Sequence, residues 1–231
     1  MDKPLGQAGE YALDQAESRH AVKVLRCREG DGATLFDGLG GWAEARFVRA
    51  DAAAAVLSAG KPESEPPARP RLAIAAAMPK GKRWQTLVEK CAELGADRLF
   101  PLLSARSVAK GEGDPARWRR WSIEAAKQCL RARLPEISVP LELADLLELA
   151  GGGETRLFLA DPEGAPPLEI RDSLANAEDA IFLIGPEGGF TEEETASCRR
   201  AGAVGIRLSP YILRVETAAA AALAVAGALS F

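Results

Sequence analysis

The stretch FLIGPEGGFTEEE, Phe182 to Glu194, decides how the chain is read. An apolar run, AIFLIG, ends at Gly185, a Gly-Pro-Glu-Gly-Gly turn follows, and the acids Glu192, Glu193 and Glu194 come after it. A continuous apolar run of this length suits a strand buried on both faces, as in a parallel sheet covered by helices. Thr191 can cap the next helix, and Glu194 three residues on completes a capping box. Glu192 and Glu193 favour the positive helix end. These acids therefore have structural work and are assigned no catalysis. The glycines exceed what a helix start requires. Gly185, Gly188 and Gly189 lack Cβ atoms and would let a ligand reach the backbone. The carboxyl end of a central strand is where open α/β sheets place ligands. The turn has neither G-K-[ST] nor G-x-G-x-x-G, so it is not a nucleotide fingerprint. It reads either as a plain turn or as a backbone-lined pocket.

Outward from this stretch, further strands are predicted at RLAIAAAM (71–78), RLFPLL (98–103), TRLFLA (155–160) and VGIRLS (204–209). KRWQTLVEKCAELG reads as a helix, with Leu87, Val88, Cys91 and Leu94 at helical spacing and Gly95 as its stop. Asp114-Pro115 starts another, with Trp118, Trp121 and Ala125 on one face. Two more run from Thr191 to about Arg200 and from about Val215 to the end. The GGG at 151–153 is a plain loop. Strands alternating with helices predict a parallel α/β sheet. KPESEPPARP (61–70) carries prolines and no apolar periodicity, so it is predicted to link two domains, 1–68 and 69–231. In the first, ATLFDG and WAEARFV form a hairpin around a Gly-rich turn, and SRHAVKVLRCREGDG holds a short helix ending near Glu29-Gly30. That domain is small and β-rich.

The net charge of -4 argues against nucleic-acid binding by bulk charge, while leaving room for a local basic face. Between Arg106 and Arg133 there are eight basic residues against three acidic ones, with Lys80, Lys82 and Arg83 nearby. They read either as a phosphate-binding footprint or as an ordinary solvated helix. Arg19, Lys23 and Arg26 raise the same choice in the N-terminal domain. The four cysteines are scattered without a C-x-x-C, and His20 is the one histidine, so a zinc site is not expected. No secretory signal opens the chain, and the Ala-rich run from Ala218 to Phe231 falls short of the roughly 20 residues that span a bilayer. A cytoplasmic protein without a membrane partner is expected.

A second constellation, LSPYILRVETAAAAAL from Leu208, also follows a predicted strand. Arg214 and Glu216 stand beside Thr217 at a helix start. They could form a surface ion pair of little worth, or help line one pocket with the glycine turn.

Together these stretches resemble the ribosomal small-subunit RNA (uracil-N3)-methyltransferases. LIGPEGGFTEEE and LSPYILRVETAAAAAL look like that family's cofactor signature, and KGKRWQTLVEKCAELGADRLFPLLSARSV and AAKQCLRARLPEI are similar to its other blocks. RHAVKVLRCREGDGATLFDG resembles its N-terminal domain, so the likeness spans most of residues 19 to 225. The resemblance implies an N-terminal PUA-like β-barrel that grips RNA and a C-terminal SPOUT α/β domain with a deep trefoil knot. It implies S-adenosyl-L-methionine as cofactor, no metal, a homodimer through the C-terminal domain, and methylation of N3 of one uridine in 16S ribosomal RNA of the assembled 30S subunit. Carried over by position, the cofactor pocket would use Ile184, Gly185, Pro186, Glu187, Gly188 and Gly189. Leu208, Ser209, Pro210, Ile212 and Leu213 would form a second wall, with Ala160 and Asp161 as a third and Thr217 closing it. Arg214 and Glu216 would be catalytic, Arg214 stabilising the uracil anion and Glu216 either accepting its proton or orienting Arg214. Arg106, Arg131 and Arg133, with Arg19, Lys23 and Arg26, would face RNA, and Gln128 would face RNA or the dimer partner. The chain departs from the family pattern in three places. It begins almost inside the PLG segment, so the first barrel strand is expected to be short or absent. Lys127 stands where the family has Glu, and Ser209 where it has Gly. A SPOUT enzyme acting on another RNA, or a non-catalytic RNA-binding protein, are the alternatives. The intact GPEGG and ILRVETA favour the enzyme.

Overall fold

The computed structural model describes residues 4–107, 113–151 and 155–230. The GGG loop predicted at 151–153 extends outside them, as does Lys110 of the basic cluster. The chain forms two units. The first comprises the chain up to Pro66 plus Arg131–Leu134, and the second Pro67–Leu130 plus the chain from Pro135 onward.

In the first unit, β1 (Gly9–Ala12), β2 (Gly32–Phe36), β3 (Gly41–Arg49) and β4 (Val56–Ala59) make an antiparallel sheet in the order β1-β4-β3-β2. No pairing of β1 with β2 closes this path among the described residues. Alternation along β3 turns Ala43, Ala45 and Phe47 inward, where they meet Leu35 and Leu57. The predicted hairpin is present, with Phe36 opposite Trp42. Its turn is held by the buried carboxylate of Asp37, which accepts from the backbone N–H of Leu39 (2.7 Å) and Gly41 (2.9 Å).

Three expectations change here. The segment predicted as pure linker forms β5 (Glu63–Ser64), which pairs with Gly41 and Trp42 of β3. Pro62 and Pro66 flank this strand, where their missing N–H groups cost the ladder nothing. The predicted N-terminal helix also stops early. α1 (Gln15–Arg19) widens into a π-turn at His20–Val24, and Arg26 then adopts φ 60 while Cys27 N–H reaches back to the Ala21 carbonyl. That six-residue return ends the helix before Glu29. The single boundary drawn after residue 68 also misses a return of the chain. Gly40 N–H donates to Ala132 O and Leu134 N–H to Gly38 O, which ties Arg131–Leu134 to the first unit.

The second unit is the predicted parallel sheet. β6 (Arg71–Ala77), β7 (Arg98–Leu103), β8 (Glu136–Ile137), β10 (Thr155–Ala165), β11 (Asp179–Ile184) and β12 (Val204–Ile206) lie in the order β12-β10-β11-β6-β7-β8. The short β9 (Leu141–Glu142) continues beside β7. Helices cover both faces, so β6 and β11 are buried along nearly their whole length. On one face α2 (Lys82–Glu93), α3 (Pro115–Cys129), α5 (Arg171–Ala175) and α7 (Val215–Ser230) pack around Phe158, Phe182, Trp84 and Leu223. On the other, α4 (Leu143–Ala150) and α6 (Glu192–Arg200) pack Leu146, Leu147 and Cys198 against Leu157 and Leu183.

β10 runs past the predicted TRLFLA. Ala160 pairs with Ile206, the chain bulges through Asp161–Gly164, and Ala165 returns to Ile206. A Cβ on Gly164 would lie 2.5 Å from the backbone of Gly205 and Ile206, so only glycine allows this second approach. At the amino edge of the sheet, Asp179 accepts from Arg71 (2.7 Å) and from Arg98. That pairing ties β6, β7 and β11 together and leaves the carboxyl edge to the loops.

Candidate cofactor and RNA site

The three predicted walls converge at the carboxyl edge of β12, β10 and β11, which are neighbours in the sheet. Ala160 from β10, Ile184 from β11, and Leu208 and Leu213 from the loop after β12 all pack into the core cluster on the α7 face. Val215 and Met78 join them there. Tertiary structure thus brings together residues from Met78 to Val215, far apart in the sequence.

The glycine turn is closed by Gly189 N–H donating to Pro186 O at 2.8 Å, with Gly189 at φ 70. A Cβ on Gly185 would stand 3.1 Å from Phe190, so the chain turns tightly as it leaves β11. Pro186 is buried, and Glu187, Gly188 and Gly189 are exposed. Two arginines hold the exposed part. Arg83, at the start of α2, pairs with Glu187 at 2.7 Å, and Arg106 donates to the Gly188 carbonyl at 2.7 Å. The sequence placed Arg106 among the cations expected to face RNA and Arg83 in the neighbouring basic cluster. No local signal could have linked them to the turn, because they lie about a hundred residues before it.

The capping box forms as predicted. Thr191 Oγ1 accepts from Glu194 N–H, and Glu194 Oε2 accepts from Thr191 N–H at 2.7 Å. Glu194 also has an unforeseen partner, Ala105 N–H, which donates to Oε1 at 2.8 Å. Burial pushes the Glu194 carboxyl up. The backbone N–H groups of Thr191 and Ala105, the Thr191 side chain and the Arg106 charge outweigh it, and hold the group below its ordinary 4.5.

Several predicted residues have other surroundings. Asp161 lies inside the bulge of β10, accepts from Glu163 N–H, and pairs with Arg199 of α6 at 3.2 Å. Its carboxylate is engaged there. Ile212 is 88% exposed and Tyr211 80%, so this part of the second wall covers nothing within the chain. Ser209 Oγ accepts from Tyr211 N–H at 3.0 Å, which fixes the turn there. Pro210 and Thr217 are exposed. A surface hollow of about 550 Å³ over α6, lined by Phe190, Thr195 and Arg199, contains none of the predicted wall residues.

The catalytic candidates stand at the head of α7. The Arg214 carbonyl accepts from Ala218 N–H at 2.8 Å, so Arg214 begins the helix with its side chain exposed. Arg214 and Glu216 do not pair with each other, which removes the surface-ion-pair reading. Glu216 Oε2 is buried and has no hydrogen-bond partner among the described residues. A buried oxygen of this kind is costly unless a ligand satisfies it.

The cations expected to face RNA divide among separate places. Arg19, Lys23 and Arg26 are exposed around the π-turn of the first unit. Arg131 and Arg133 belong to the segment that joins that unit, and the Arg133 guanidinium donates to Glu65 O at 3.0 Å. Arg133 is therefore a structural link rather than a free cation. On α3, Arg117 stacks over Trp121 at 4.9 Å and Lys127 pairs with Glu124 at 2.8 Å, while Arg120 and Gln128 are exposed. Among the described residues no cluster of His, Cys, Asp and Glu could hold a metal.

Comparison with known proteins agrees with this architecture. A family model described as an RNA methyltransferase domain matches residues 66–227, and one described as an RNA methyltransferase PUA domain matches residues 13–57. Ribosomal RNA small subunit methyltransferase E of Mycobacterium bovis is 34% identical over 227 residues, covering 94% of this chain and 86% of that protein. The protein of the same name from Bacillus subtilis is 30% identical, covering 92% of this chain and 87% of its own. The crystal structure of the Neisseria gonorrhoeae ribosomal RNA small subunit methyltransferase E, bound to S-adenosyl methionine, superposes with a TM-score of 0.90 at 26% identity. It covers 99% of this chain and 95% of that one. With both of its units matched and relatives at 30% and 34% identity over most of their length, the chain belongs to the ribosomal RNA small subunit methyltransferase E family of PUA-bearing SPOUT RNA methyltransferases.

Proposed function

We propose that the protein transfers a methyl group from S-adenosylmethionine to N3 of a uridine in 16S ribosomal RNA, working as a homodimer on the assembled small subunit. The observation that carries this reading is the convergence of Ala160, Ile184, Leu208 and Leu213 at one sheet edge, beside a glycine turn with exposed backbone. The residues fit such a ligand. The Pro186–Gly189 turn offers backbone groups without side chains in the way, and Leu208 and Leu213 offer apolar cover. Glu216 Oε2 still needs a donor. Bound S-adenosylmethionine would supply an electrophilic sulfonium methyl group, chemistry that requires no metal.

The chain's own residues would manage the acceptor. Uracil N3 must lose its proton before its electron pair can form the new N–C bond as the sulfonium C–S bond breaks. Arg214, exposed at the head of α7, stabilises the resulting uracil anion. Glu216 is poised to accept the N3 proton on Oε2, the oxygen that no protein donor occupies. The exposed Arg19, Lys23 and Arg26 support RNA contact by the first unit.

The exposed Tyr211 and Ile212 support the dimer, since a second chain covering them would complete the outer wall. The knot belongs to the same reading. β12 lies outside β10, yet the chain then returns as α7 to pack on α2, β6 and β11, a path that supports threading. An experimental chain trace that smooths to an unknotted curve would exclude the knot. A ribosomal substrate implies a cytoplasmic site of action, and among the described residues no helix is long and apolar enough to cross a membrane.

The test is transfer of radiolabelled methyl from S-adenosylmethionine to small subunits taken from cells lacking the protein. Label is expected in 16S RNA of the subunit, with far less in protein-free 16S RNA. No label in either would refute the enzyme, and equal labelling of both would refute the assembled subunit as substrate.

A further inference from the structure

The glycine turn is exposed at Glu187, Gly188 and Gly189, and glycine backbone loses much conformational freedom on ordering, so a ligand that relies on it binds more weakly unless the turn is already ordered. Two tight turns meet at this point. One is Pro186–Gly189. The other, Ser104–Ser107 after β7, is closed by Ser107 N–H donating to Ser104 O at 2.9 Å. Ser104 N–H donates to Ser107 Oγ at 3.0 Å, and the two hydroxyls lie 2.8 Å apart. Two links leave the serine turn, one to the glycine turn and one to the start of α6. Arg106 reaches from the serine turn to the Gly188 carbonyl. Ala105 N–H, the neighbouring group of the same turn, donates to Glu194 Oε1. An ordinary capping box uses its glutamate only within its own helix start. Here the carboxylate is shared: one oxygen caps α6 and the other takes a backbone N–H from a residue 89 positions earlier.

We propose that Glu194 is a positioning residue for the methyl donor, holding the Ser104–Ser107 turn so that Arg106 can fix the Gly188 carbonyl in its binding arrangement. The proposal rests on the reading of this edge as the S-adenosylmethionine site.

Thr191 provides the control. Thr191→Ala removes the hydroxyl that caps α6 and leaves the bond from Ala105 to Glu194 in place. Glu194→Ala removes both the cap contact and the link. Calorimetric titration with S-adenosylmethionine, thermal unfolding and steady-state kinetics are measured on the wild type and both variants. Both variants should melt lower than the wild type. Thr191→Ala should keep wild-type affinity, while Glu194→Ala should lose about tenfold in affinity and gain as much in KM for S-adenosylmethionine, with kcat changed less. Glu194→Gln keeps one acceptor oxygen, should fall between them, and carries the comparison if Glu194→Ala does not fold. Equal, wild-type affinity in the Thr191 and Glu194 variants would overturn the proposal and leave Glu194 a helix cap only. A wild type that binds no S-adenosylmethionine would overturn the site reading and the proposal with it.

Discussion

Arg214 and Glu216 stand two positions apart at the head of α7, a spacing that points side chains in different directions around a helix. The division of labour proposed for them rests on burial: the guanidinium is exposed, and the carboxylate oxygen Oε2 is shut away from water. Arg214→Ala should leave S-adenosylmethionine binding intact and lower the transfer rate about 10²–10³-fold, as for loss of one donor to a developing anion. Calorimetry beside single-turnover methylation checks this, and an Arg214→Ala variant with full turnover would refute the role. Glu194 gives a pH prediction. Its folded carboxyl sits below 4.5, so the charged form favours folding. That stability is complete above 4.5 and is lost as pH falls through the folded value. The difference in melting temperature between wild type and Glu194→Gln should therefore narrow on acidification below 4.5, and a widening gap would contradict it. The capping role of Glu194 is legible in the sequence because Thr191 is three residues away. Its bond to Ala105 is not, because no local pattern encodes a partner 89 residues distant. Arg83 and Arg106 show the same limit: charge counts show that cations are present, and only the fold shows that Arg83 meets the Glu187 carboxylate and Arg106 the Gly188 carbonyl.

At the level of elements, long apolar runs were the readable part. β6 and β11 announce themselves because both faces are buried, and α2 because Leu87, Val88 and Cys91 recur at helical spacing. The errors fall where a tertiary contact overrides local chemistry. Asp-Pro-Glu-Gly after Ala160 reads as the end of a strand, but β10 bulges and returns to Ile206. Glu63–Ser64 reads as linker, but the open edge of β3 recruits it as a strand. α5 spans five residues, too few for periodicity to declare itself. The β10 bulge is directly testable. Gly164→Ala places a methyl group against the backbone of Gly205 and Ile206 and should cost about 1–3 kcal/mol in denaturant unfolding. A neutral effect would mean that this second approach of β10 to β12 is loose.

For the molecule as a whole, the architecture follows from a parallel sheet that must be covered on both faces and a small antiparallel unit that precedes it. The two-domain plan was legible from the prolines at 61–70. The return of Arg131–Leu134 to the first unit was not, because it depends on backbone bonds to Gly38 and Gly40. The dimer is testable at this scale. Light scattering should give twice the 24.4 kDa chain mass, and Ile212→Glu, which puts a charge on an 88% exposed apolar position, should shift the protein toward monomer and weaken S-adenosylmethionine binding. A monomeric wild type with full activity would refute the need for a second chain. The central claim is that this sheet edge directs the methyl group to uracil N3. The most direct measurement is mass spectrometry of nucleosides from 16S RNA of small subunits, taken from cells lacking the protein and incubated with the purified enzyme and S-adenosylmethionine. One new 3-methyluridine is expected, formed about 10²–10³-fold more slowly with Arg214→Ala. A methyl group on another atom or base, or no new methylated nucleoside, would contradict the account.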